Sequence, residues 1–227
     1  MRHWIALLVI ALVMIAFPAA AQQAPATPTT AGGGFKWDFV NISGGEDALA
    51  TGITAIVRLK DGNRRTLEIA LQQKQSWVLF GPKYKFGRAD VFVAASAGFQ
   101  QGAPWAGPLL AADMPLGKIG DREVKFSTLH WPCFFFGQWE PTDWKNDDRP
   151  NPEKLKLGYL ATVQLSVGPW KVSYGALNFL NDPWNALPGV SYTRDIRSDL
   201  SLTGSVTRNV NKHSWMFLIG GEWHPNQ

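Results

Sequence analysis

Cysteine is nearly absent: Cys133 is the only one in the 227-residue chain. No internal disulfide can form, so an exported version of this chain needs some other source of stability. Long apolar runs are missing after Phe17, which leaves no candidate for a transmembrane helix of about twenty residues. Histidine is scarce, at four residues with no metal-ligand spacing,. The acidic group Asp143, Asp147 and Asp148 lacks the Asp-x-Asp-x-Asp-Gly register of a dedicated calcium loop and reads as a solvated loop,. We expect no metal and no other cofactor. Charge is low too: Asp, Glu, Lys and Arg make up 18% of the residues and the formal net charge is +4, scattered along the chain. That balance argues against a nucleic-acid partner. No internal repeat and no second domain are visible.

The chain opens with a secretory signal. Arg2 and His3 form a short basic start, Ile5 to Phe17 is an apolar run too short to span a bilayer, and Ala19-Ala20-Ala21 supplies small residues for cleavage before Gln22,. Residues 1–21 are the expected signal peptide. Residues 22–34 form a Pro-, Thr- and Gly-rich spacer that can bury nothing, and residues 35–227 a single domain.

Leu155 to Val167 sets the reading of that domain. Every second residue is apolar: Leu155, Leu157, Tyr159, Ala161, Val163, Leu165 and Val167. The residues between them are mostly polar or small. Strands point successive side chains to opposite faces, so this segment has one oily and one wet face. It is longer than the five or six residues usual in soluble strands and long enough for the nine to eleven of a tilted membrane strand. The same alternation recurs at Phe35–Phe39, Thr51–Lys60 (with Ile56 breaking it), Leu67–Gln72, Gln75–Phe86, Val91–Phe99, Val124–Phe136, Trp170–Ala176, Val190–Ile196, Leu200–Val206 and Trp215–Trp223. Ser43-Gly44-Gly45 reads as a break and Gln100–Gly107 as a loop. Leu109–Leu116, between Pro108 and Pro115, is the weakest strand.

About twelve strands result, with ten as the alternative, because single-chain barrels take even numbers. The connections around Gly44, Gln100, Trp144 and Trp184 read as long, those near Asp61–Asn63, Gly87, Gly168 and Ser198 as tight. Long loops on one side with short turns on the other characterise outer-membrane barrels. The predicted fold class is therefore all-β, an antiparallel up-and-down transmembrane barrel. Trp37, Trp77, Trp170, Trp215 and Trp223 lie near strand ends, where ring and water-facing edge suit the membrane interface. On these residues the chain resembles the bacterial outer-membrane β-barrel proteins. In length and strand count it is similar to the small twelve-stranded channels for acidic oligosaccharides, although no residue matches theirs one by one. The final aromatic, Trp223, is followed by His224-Pro225-Asn226-Gln227, whereas such barrels often finish on an aromatic residue.

No catalytic constellation emerges, and we expect no enzyme. His213 and Ser214 are adjacent on a strand and point apart. His130 falls on the lipid face with Val124 and Phe126. The inner face, by alternation, carries Lys36, Asp38, Arg58, Lys60, Glu68, Asp90, Lys125, Lys156, Lys171 and Glu222, with cations in excess. Charged rings set the field in a narrow pore. The expected function is a passive pore for small, anion-biased solutes, with the lipid bilayer and those solutes as partners. Two alternatives stay open: a closed structural or adhesive barrel whose loops, 137–154 above all, bind outside the cell, and a soluble periplasmic β-sandwich or lipocalin-like binder. Oligomeric state is not legible.

Overall fold

A computed structural model describes residues 34–46, 51–62, 64–72, 75–100, 103–136, 156–178 and 184–225. The expected signal peptide, the expected spacer up to residue 33 and the loop 137–154 with its three aspartates lie outside the described residues. Twelve strands follow one another: β1 (Lys36–Glu46), β2 (Thr51–Asp61), β3 (Arg65–Gln72), β4 (Gln75–Phe86), β5 (Ala89–Gln100), β6 (Ala103–Ile119), β7 (Arg122–Phe135), β8 (Lys156–Val167), β9 (Trp170–Asn178), β10 (Asn185–Arg197), β11 (Leu200–Asn209) and β12 (Ser214–Trp223). Each pairs antiparallel with the next, and β1 pairs with β12, so the sheet closes into a barrel. Closure satisfies every strand edge, which a sheet in hydrocarbon requires. The soluble-sandwich alternative therefore gives way to a closed barrel.

Two rims result. One carries the tight turns at residues 62–64, 87–88, 120–121, 168–169 and 198–199, and the other carries the remaining connections, including 136–155; we call them the short-turn and long-loop rims. Gly62, Gly87, Gly120 and Gly168 all take φ between 54° and 60° on the short-turn rim, a conformation that glycine adopts without strain.

Strand extents differ from the sequence reading in three places. β1 runs through Ser43-Gly44-Gly45 to Glu46. Gly45 is required there, because a Cβ would lie 2.0 Å from the Phe217 carbonyl oxygen. Gln100–Gly107 is strand on both sides of residues 101–102, and β6 is the longest element at 17 residues despite Pro104, Pro108 and Pro115. The prolines are tolerated by local relief of the ladder. Between the pairs Ala106–Phe134 and Leu110–His130 the β6–β7 pairing is interrupted, and Pro108 there faces Pro132, neither with an N–H to place,. The Gly107 carbonyl instead accepts a hydrogen bond from the Ser96 hydroxyl at 2.7 Å. A register shift after Pro115 absorbs the third proline. Third, the β1–β2 pairing shifts between Trp37 and Phe39. Regular alternation would place Phe39 beside Trp37 on the outside. The bulge turns it inward, where it is buried under the Arg58 guanidinium at 4.4 Å,.

Candidate functional site: the barrel interior

The two faces of the wall are chemically distinct. Ile53, Leu71, Leu157, Val172, Phe217, Ile219 and many other large apolar side chains are exposed on the outside. Left to water, such a band is an aggregation liability, whereas against acyl chains it is the surface a membrane barrel needs. Trp37, Trp170 and Trp223 stand exposed toward the short-turn rim, with Trp170 against Tyr192 at a centroid distance of 4.8 Å, and Trp215 stands exposed toward the long-loop rim. Trp77 departs from this set. It faces inward at 5% exposure and donates its indole N–H to Glu68 Oε1 at 3.3 Å. Its place near a strand end suggested an interface ring, but its position in the strand alternation puts it on the inner face, opposite Val78.

Inside, the barrel divides along its axis. Toward the long-loop rim an apolar cluster fills the inner face of β3 to β8, built around Trp77, Leu79, Trp105, Leu109, Trp131, Phe135 and Leu160. Trp131 is its pivot. It meets Trp77 and Trp105 edge-on at 5.6 and 5.4 Å and donates its N–H to Ser96 Oγ at 2.7 Å. Edge-to-face contacts of this kind add to the area buried. Cys133 is buried in the same cluster. Ile56, which broke the alternation of β2, packs against it from the side. That break in an otherwise polar face, like Leu160 on the wet face of β8, was a sequence signal of an apolar interior. Trp105 gave no such signal, because it fell in a stretch read as loop.

Toward the short-turn rim the inner face is charged and half-exposed. Lys60 Nζ bonds Asp38 Oδ1 at 2.8 Å, Lys83 Nζ bonds Asp90 Oδ2 at 3.0 Å, and Lys125 Nζ lies 3.9 Å from Asp113 Oδ1. Arg58 reaches Glu68 Oε2 through Nε at 2.8 Å and through its terminal nitrogen at 2.5 Å. Glu68 is thereby held on one oxygen by Arg58 and on the other by Trp77, at the boundary between the two halves. Lys36 pairs across strands with Lys60 and shares its face. Lys171 lies within electrostatic reach of Lys125, Asp113 and Glu222. Lys156 opens β8, and its side chain lies outside the described residues.

On the outer face His130 sits between Thr128 and Tyr159, with Nε2 3.2 Å from Thr128 Oγ1 and Nδ1 2.7 Å from Tyr159 Oη. His213 stands in the β11–β12 turn with φ 51°, and His224 bonds Glu222 at 2.9 Å and the Asp38 carbonyl at 3.2 Å.

A closed antiparallel barrel with an apolar exterior, aromatic rims and a partly charged inner face is the architecture of the transmembrane β-barrels of the bacterial outer membrane. Solved structures share it. A KdgM porin, and the same porin in complex with disordered oligogalacturonate, each superpose with TM-score 0.53 at 9% identity, covering 83% of this chain and 98% of that one. A NanC porin in a rhombohedral crystal form gives TM-score 0.54 at 8% identity over 82% of this chain and 98% of its own. No protein-family model and no curated protein matches the sequence.

Proposed function

We propose that the chain is a passive outer-membrane channel for small solutes, with a mild preference for anions. The observation that carries this reading is the half-exposed inner face beside the short-turn rim. Four of its carboxylates, Asp38, Glu68, Asp90 and Asp113, are each engaged by a lysine or arginine, while Lys36 and Lys171 add positive charge that no described ion pair offsets. An excess of one sign in a narrow, low-dielectric lumen biases the ions that enter. The fold neighbours support it as well: they are porins, and one is in complex with oligogalacturonate.

The sealed half of the barrel favours a second reading, a closed structural barrel that anchors its loops. Twelve strands lie between the eight whose interior side chains fill and the sixteen that leave a water channel, so the wall alone does not choose. Planar-bilayer recording separates the two. A channel gives discrete conductance steps, with a zero-current voltage displaced toward the anion potential under a salt gradient. A record with no steps above lipid leak sinks the channel and leaves the anchor.

A further inference from the structure

The sealed half has two unlike walls. Beside the tryptophan cluster, on the wall from β10 round to β3, five strands place hydrogen-bonding side chains in one cross-strand row. Thr193 on β10 pairs with Thr203 on β11, Thr203 with Gly220 on β12, Gly220 with Ser43 on β1, Ser43 with Thr54 on β2, and Thr54 with Gln72 on β3. Barrel strands tilt against the axis, so a row at right angles to them climbs the wall as it goes round. This row starts at Thr193 near the short-turn end of β10 and finishes at Gln72, the last residue of β3 on the long-loop side.

Its lower members are half-exposed and its middle is buried. The Thr193 and Thr203 hydroxyls bond each other at 2.8 Å. Gly220 lacks the side chain that would block the next step, since a Cβ there would sit 2.7 Å from Ser43 Cβ. Ser43 is 6% exposed and Thr54 is 1% exposed. Thr54 Oγ1 nevertheless has no hydrogen-bond partner in the protein, and neither has the buried Ser205 Oγ one row away. A hydroxyl stripped of water without a replacement costs about 1–3 kcal/mol, and such groups are normally met by ordered water.

We propose that this row is a hydrated seam through the sealed half, linking the charged vestibule to the long-loop rim. The channel reading determines only what the seam carries: water and small solutes that exchange hydration for hydroxyl donors. The tryptophan wall is then a fixed bolster, and the passage runs off-axis beside β1 and β2.

The test is thiol accessibility in the full-length folded protein with Cys133→Ala as background. Thr54→Cys and Ser43→Cys probe the seam. Ala94→Cys probes the opposite wall, where Ala94 is also inward and fully buried. A small, charged methanethiosulfonate is the reagent and the mass shift the readout, and an unboiled gel shift certifies each barrel as folded. The seam predicts that Thr54→Cys and Ser43→Cys label while Ala94→Cys does not, and that Thr54→Val loses most of any solute flux seen in proteoliposomes. Equal labelling on the two walls, or none at either seam position, overturns it. Labelling at Thr54→Cys with no flux in the unsubstituted protein upholds the seam and ends the channel reading, so the two fail separately.

Discussion

The interior beside the long-loop rim and the interior beside the short-turn rim belong to the same strands, yet they obey different physics. In the first, Trp131 and its neighbours are packed as in a soluble protein core, and the indole N–H groups of Trp77 and Trp131 are spent on Glu68 and Ser96. In the second, lysines and aspartates meet in half-exposed ion pairs. The difference teaches that a barrel of this size need not be stabilised uniformly. Its outer face gains little by exchanging one apolar environment for another, so a packed interior segment is where side chains add cohesion, and the hydrated remainder is free to carry charge.

That contrast can be tested by removing groups from each half in turn. Trp131→Ala takes away two edge-on ring contacts and the bond to Ser96, and should cost about 3–5 kcal/mol, read from the urea midpoint of the heat-modifiable folded fraction. A loss no larger than that of Ser191→Ala, half-exposed and paired with Lys171 across β9 and β10, would erase the distinction. Glu68→Ala, at the boundary, leaves both the Arg58 guanidinium and the Trp77 N–H without their acceptor and should cost about 1–3 kcal/mol. Glu68→Gln, which keeps an acceptor for Trp77, should recover part of it, and no recovery would mean that the indole bond contributes nothing. Lys60→Gln removes a half-exposed ion pair with Asp38 and should change stability by less than about 1 kcal/mol. The smallest effect on stability is expected from Lys171→Gln, which should instead move the zero-current voltage away from the anion potential. An unchanged voltage would show that the field is set elsewhere.

The existence and antiparallel order of the strands were legible because one face must be oily along each of them, and Leu155–Val167 displays that rule in full. What alternation reports, however, is only which residues share a face. It cannot say whether the inner face meets water or another side chain, and so Trp77 read as an interface residue. It fails at a bulge as well, since one extra residue reverses the alternation beyond it, as Phe39 shows. The prolines of β6 hid a strand because the usual prohibition assumes an intact ladder on both edges, and here the ladder opens opposite Pro132. The row from Thr193 to Gln72 had no linear signature at all. Its members lie on five strands and are joined only by register.

One consequence concerns time. The pair that closes the barrel, β1 with β12, unites segments almost the whole chain apart, and Gly45, Gly220 and the His224 contact to Asp38 all lie on it. Every other pairing joins neighbours in sequence and can form by local zipping, while this one must wait for the entire ribbon to curl. During that interval both terminal strands present open edges to whatever else is nearby. The β1–β12 junction is therefore where assembly is slowest and most exposed to error, and a substitution such as Gly45→Val would act on how often the ring shuts rather than on what it does once shut.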